Sequence, residues 1–272
     1  MADLDWLRPE LLTLAFCWRL QRRDGVVLGF TSHDRDLTRD GLCYRASPGM
    51  MPSAISQQAG LGVDTMDVAG ALTSAAIRED DLCAGRWDGA KLWLSVIDWT
   101  QPDGEALTLS RGELGDVAVR DGRFTVELRG PMTLLEQPVV ELTSPECRAE
   151  LGDARCRVDP ARLGVLTRVR AVSDADELTV AAVPGLPLGY GRLRWLGGKN
   201  AGLESAILSA NGTQLVLREP PPFEMVPGDW IELVAGCDKR RATCRDTYGN
   251  VAHFRGEPDL PGNDLLTRYP GA

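Results

Sequence analysis

The chain has 272 residues, 43% hydrophobic and 25% charged, with a formal net charge of −9. That length holds one large or two ordinary domains, each with a real core. The acidic balance excludes a surface that grips nucleic acid along its length, and no run of eighteen apolar residues argues for a membrane helix. Residues 1–18 carry acids where a secretory leader carries basic residues, and no small-residue cleavage site follows. The expectation is therefore a protein folded in the reducing bacterial cytoplasm, where structural disulfides are unusual.

Taken in chain order, the texture is mainly β with few short helices. His33-Asp34-Arg35-Asp36 looks like a reactive cluster but reads as a hydrogen-bonded turn between strands. Residues 78–85 suit a short helix with acids in its first turn. Strands are expected at 91–98, 106–109, 117–119 and 123–128, with Asp121-Gly122 as a hairpin signal between the last two. Residues 131–137 suit one or two helical turns, opened by Pro131 and ended by Pro138.

The polar, proline-bounded stretch 140–162 reads as a connector. It divides an N-terminal β-rich domain, 1–142, from a C-terminal β domain of barrel or sandwich type, 143–272. Strands of the second domain are expected at 165–172, 177–183, 191–196, 204–210, 213–218 and 229–234. Asn211-Gly212 between the fourth and fifth suits a type I′ turn. Residues 236–272 have turn signals and little periodicity, so an ordered tail is expected there.

Four of the seven cysteines form two pairs, Cys147/Cys156 and Cys237/Cys244, with eight and six residues inside the pairs and eighty between them. Four thiolates are a soft donor set that suits zinc or an iron–sulfur cluster. Structural zinc usually takes tighter pairs of two to four intervening residues. The looser spacing leaves both metals open and leans toward the bulkier cluster. Arg148, Arg155, Arg157, Lys239, Arg240, Arg241 and Arg245 all lie within four residues of these cysteines. Cations there would offset the anionic charge of a thiolate site and favour the thiolate form; the bland alternative is a set of solvated loop charges. Such a site would be structural, fastening the connector to the end of the chain.

Cys17, Cys43 and Cys83 are expected as small core residues. A cysteine peptidase would need a thiolate and an imidazole within reach, and only His33 and His253 are available. No nucleophile signature surrounds either. The scattered tryptophans read as core or interface packing.

Gly236-Cys237-Asp238-Lys239, Thr243-Cys244, Tyr248-Gly249-Asn250 and the run from His253-Phe254-Arg255-Gly256 through Pro258 to Pro261-Gly262 form a connected pattern. It resembles the C-terminal motif of the tail hub proteins of gene transfer agents and siphophage-like prophages, more distantly the tail tip protein L of lambda-like phages. Residues 25–37 resemble the N-terminal motif of the same group, so the resemblance spans nearly the whole chain. His253 departs from it, standing where many relatives have Asn. The resemblance implies a structural virion component and not an enzyme, located in the tail of a phage-like particle. It implies a ring of hub subunits, with a homotrimer expected, between a distal tail protein ring and more distal, receptor-facing proteins, with DNA passing only in transit. It also implies a 4Fe-4S cluster on Cys147, Cys156, Cys237 and Cys244. The rival readings are a thiol or metal hydrolase acting on cell wall and a zinc-stabilised binding module.

Overall fold

The computed structural model describes residues 5–47, 51–52, 65–71, 77–120, 123–130 and 140–260. The chain forms two compact units, Met1–Val139 and Val140–Ala272. Both are β structures, and the two α-helices among the described residues have five and six residues.

The first unit is built on one nine-stranded sheet in the order β3-β4-β2-β1-β7-β8-β9-β6-β5. The strands are β1 (Leu14–Gln21), β2 (Val27–Thr31), β3 (Leu37–Arg39), β4 (Leu42–Ala46), β5 (Met51–Pro52), β6 (Thr65–Ala71), β7 (Lys91–Asp98), β8 (Ala106–Arg120) and β9 (Arg123–Arg129). All neighbours are antiparallel except β2 and β4. Central strand β1 reads Leu-Ala-Phe-Cys-Trp-Arg-Leu-Gln, with apolar residues at both parities. Side chains alternate across a pleated strand, so both faces of the sheet are apolar here. Trp18 and Leu20 enter one cluster with Phe30, Leu92 and Leu94. Ala15 and Cys17 enter the other with Leu37, Tyr44 and Ile97.

The segments expected at 106–109 and 117–119 are two ends of one strand, β8, which shifts register against β9 between Leu114 and Val117. A bulge of this kind lets a long strand bend without ending. Asp121-Gly122 and the helix expected at 131–137 lie outside the described residues, although Arg120 and Arg123 are paired across that connection. The expected helix at 78–85 is α1 (Glu79–Cys83), with Glu79, Asp80 and Asp81 in its first turn. The His33 segment is a turn: the Arg35 amide donates to His33 Nδ1 at 3.1 Å, and the Ala46 amide donates to Asp36 at 2.8 Å.

Two of the three cysteines expected in the core are not there. Cys17 is fully buried, but Cys43 and Cys83 are exposed. In β4 the alternation turns Tyr44 inward and Cys43 outward, and Cys83 closes a one-turn helix of which only Leu82 is buried.

The second unit contains a closed six-stranded barrel, β10-β11-β14-β13-β12-β15. Its strands are β10 (Gly164–Val172), β11 (Glu177–Val180), β12 (Arg192–Trp195), β13 (Glu204–Asn211), β14 (Gln214–Leu217) and β15 (Trp230–Val234). The inward set is strictly alternating: Leu178 and Val180, Leu193 and Trp195, Leu215 and Leu217, Ile231 and Leu233 are all buried. The Trp195 indole N–H is satisfied by Ser205 Oγ at 3.0 Å. The hairpin centre sits one residue later than expected. Asn211 stays in β13 opposite Gln214, and Gly212, at φ 58°, is the first of two turn residues. Glycine at that first position is the requirement of a type II′ turn. A register shift between Ile207 and Ser209 absorbs the offset.

Candidate metal centre

Barrel closure brings the two cysteine segments together. The seam strands pair as Gly164 opposite Val234, extended by the Ala235 amide donating to Leu163 at 2.8 Å. Cys156 lies eight residues before that pair and Cys237 three residues after it. The chain entering the barrel and the chain leaving it therefore emerge side by side.

Beyond the seam, the two segments are knitted along their length. The Cys147 amide donates to Lys239 O at 2.9 Å, the Arg148 amide to Arg255 O at 3.1 Å, and the Glu257 amide to Ser144 O at 2.7 Å. Lys239 Nζ reaches Ala149 O at 2.7 Å and Glu150 at 2.9 Å. Gly256 allows the closest approach, since a Cβ there would lie 2.6 Å from Glu146 O.

All four cysteines line one small cavity of about 20 Å³, together with Tyr248, Asn250 and His253. No carboxylate lines it. Cys244 is carried by α2 (Arg241–Asp246), a helix inside the stretch 236–272 expected as an ordered tail. Asp153 shapes the Cys156 turn by accepting from the amides of Cys156 at 2.6 Å, Arg155 at 2.9 Å and Glu150 at 3.0 Å. Asp238 shapes the Cys237 turn by accepting from the Arg240 amide at 3.0 Å, with Lys239 at φ 63°.

The thiols are free and feel one another. Burial first, then the neighbouring Cys147, Cys237 and Cys156, pushes Cys244 up to about 11. Burial likewise raises Cys237. Tyr248 is pushed up to about 12 by burial and then by Cys237 and Cys156, and its hydroxyl donates to Gly236 O. Two N–H donors already face sulfur: the Arg255 amide lies 3.4 Å from Cys147 Sγ, and Asn250 Nδ2 lies 3.7 Å from Cys156 Sγ. Donors aimed at sulfur, mutual proximity and the lack of a lining carboxylate fit a thiolate-bound inorganic core. Among the described residues no group of three or more His, Cys, Asp or Glu is arranged to hold a metal ion.

The basic residues do something other than the sequence suggested. Only Lys239 and Arg240 line the cavity. Arg148 forms a fork on Glu257 at 2.5 and 2.7 Å and also bonds Glu141, which Arg155 shares. Arg241 pairs with Asp259 at 2.8 Å, and Arg245 with its neighbour Asp246 at 2.7 Å. Arg157 is exposed, at φ 61°. Guanidinium groups match carboxylates in a planar fork, so Arg148 braces one loop to the other through Glu257, while the other pairs stay within one segment.

The Arg148 fork, with the Ser144 amide, holds Glu257 down to about 2 from its ordinary 4.5. A depressed carboxylate stabilises the fold above its unfolded pKa, and that contribution is lost as pH falls through the folded value. The clasp between residues 144–148 and 255–257 is thus expected to hold at pH 5 and to loosen between about 4.5 and 2. In Glu257→Gln the Arg148 and Glu257 amides should exchange a few-fold faster at neutral pH, with no further acid-dependent step. The pair is partly exposed, which keeps the effect small. Hydrogen exchange across pH 2–7 reads both.

The family described as "Baseplate hub protein, N-terminal attachment domain" matches residues 2–159, more than half the chain. A family described as "Phage conserved hypothetical protein BR0599" matches residues 188–264, which include Cys237 and Cys244. No curated protein matches. A solved chain from the virion of a native gene transfer agent particle is 38% identical, with a TM-score of 0.85, over 98% of this chain and 94% of that one. By sequence and by fold over both units, the chain belongs to the baseplate hub protein family of phage-like tails.

Proposed function

We propose that this hub protein is a purely structural tail component whose C-terminal unit is fastened by a 4Fe-4S cluster on Cys147, Cys156, Cys237 and Cys244. The observation that carries the reading is that thiols from two segments eighty residues apart line one carboxylate-free cavity. The loose spacing inside each pair, eight and six residues, favours a polynuclear core over zinc, whose structural pairs are usually tighter. When bound, such a cluster supplies four metal–sulfur bonds across the two loops. The protein's own residues set the loop backbones, exclude bulky ligands and present N–H groups to sulfur.

Around that unit we place a ring of copies, a trimer, linking the tail tube through a distal tail protein ring to receptor-facing proteins. The net charge of −9 suits a passage that DNA crosses without sticking, since like charge weakens adhesion to phosphate. A thiol hydrolase is disfavoured by the groups it would need. Burial raises the Cys17 thiol, which lowers its nucleophilic fraction, and His253 Nδ1 is engaged by Asn250 at 2.7 Å.

Purification without oxygen tests the cluster. The expected product is brown, absorbs broadly near ~400 nm, and carries iron and acid-labile sulfide in equal amounts, about four of each per chain. Colourless protein with one zinc per chain would overturn the cluster and leave the hub assignment standing.

A further inference from the structure

We infer that Asn250 and His253 form a positioning pair that fixes the polarity of the hydrogen bond to the Cys156 sulfur; this deepens, and rests on, the cluster reading above. Asn250 sits just past α2 and joins both cysteine segments. Its backbone amide donates to Cys244 O at 2.9 Å, and its side chain crosses to Cys156, with Nδ2 2.6 Å from the carbonyl oxygen and 3.7 Å from Sγ.

The hydrogen-bond inventory fixes which end of the amide points where. The Cys156 carbonyl oxygen can only accept, so the group facing it must be the NH2 of Asn250. The amide oxygen, Oδ1, then faces His253 Nδ1 at 2.7 Å. Oδ1 can only accept, so Nδ1 of His253 must carry a hydrogen. His253 thereby locks Asn250 against a flip that would aim Oδ1 lone pairs at an anionic sulfur. The His253 amide in turn donates to Asn250 O at 2.9 Å, closing the 3-10 turn Val251–His253 that holds the ring in place. Hydrogen bonds to ligating sulfur tune the reduction potential of a cluster, and partners of ligands typically change metal retention by ~10–100-fold when removed.

This gives an atom-level test. In Asn the amide nitrogen Nδ2 occupies the branch position that Nδ1 has in His, so His253→Asn keeps a donor toward Asn250. His253→Asp places an oxygen there and sets acceptor against acceptor. Asn250→Asp does the same one step nearer the sulfur. Full-length proteins would be reconstituted with ferrous iron and sulfide without oxygen. Cluster loss to a chelator, the midpoint potential, and the far-ultraviolet circular dichroism of the barrel would then be followed.

His253→Asn should stay within about twofold of wild type in rate of loss. His253→Asp and Asn250→Asp should lose the cluster at least ~10-fold faster and show a lower potential in the fraction still loaded, with the barrel signal unchanged. A merely structural role would leave the potential of the uncharged variant His253→Leu where it was, whereas loss of the lock on Asn250 lowers it. Wild-type retention and potential in His253→Asp would overturn the pair while leaving the cluster intact. Wild-type protein that takes up no iron and sulfide would overturn the cluster reading and this inference with it.

Discussion

Cys237→Ser is expected to abolish cluster loading and tail assembly while leaving the six-stranded barrel folded. A serine hydroxyl is a hard, weakly acidic donor that does not replace a thiolate on a soft metal centre. Of the remaining thiols, Cys244 is raised by burial and by its neighbours, and all three line the same cavity. What would then be lost is local. The long loop from Cys156 to Cys237 is closed by the β10–β15 seam at Gly164 and Val234, so closure of that loop does not depend on the metal. A cluster on the sulfurs would restrain only the short arms outside the seam, about 20 residues on each side, which bury few large side chains and rely on backbone and ion-pair contacts. Ordering that many residues costs roughly 1 kcal/mol or more each, which the clasp alone cannot offset. Hydrogen exchange and limited proteolysis should show residues 144–159 and 237–257 opening, with residues 164–234 still protected. A variant that assembles into tails with these arms protected would refute the fastening role.

How much of this was legible in the sequence depended on how local the signal was. The barrel strands announce themselves because each needs only one buried face, so Leu178/Val180 and Ile231/Leu233 alternate cleanly. Strand β1 hides its period because it is buried on both sides of a nine-stranded sheet. Charge near a cysteine is visible in a sequence, but its partner is not. Glu257, 109 residues from Arg148, claims that guanidinium, and nothing in the spacing points to it. Likewise the pair Asn250–Cys156 is 94 residues apart. Asn250 and Gly256 lie inside the motif that carries the family resemblance, and that motif was the signal available for them. The four cysteines that line one cavity stand out in the sequence because residue type and pairing leave a compositional mark that hydrogen bonding does not.

The other large effect is expected at Gly236, the residue between barrel and cysteine loop. Its backbone passes so close to the turn before β12 that a Cβ would lie 2.1 Å from Gly189 O, 2.2 Å from Gly191 N and 2.3 Å from Tyr190 C. The opposing glycine is equally constrained, because a Cβ at Gly191 would lie 2.3 Å from Val234 O. Every atom in the way is backbone, so no rotamer change can relieve the clash. The Gly236 amide also donates to Pro187 O at 2.9 Å, which ties it to the same segment. Gly236→Ala must therefore move the exit strand or the facing turn, at about 3 kcal/mol, the upper end for overpacking. Because Cys237 follows directly, the same shift displaces one of the four proposed cluster cysteines, and on the cluster reading iron content should fall together with stability. Gly212→Ala is the matched control: that glycine has φ 58° and nothing within 4 Å of its would-be Cβ. Only the left-handed backbone is at stake there, about 1–2 kcal/mol, with iron content unchanged. Denaturant midpoints and iron analysis on both variants decide the matter. Equal destabilisation of the two, with full iron in each, would mean that the junction is not the tight coupling between barrel and metal loop argued above.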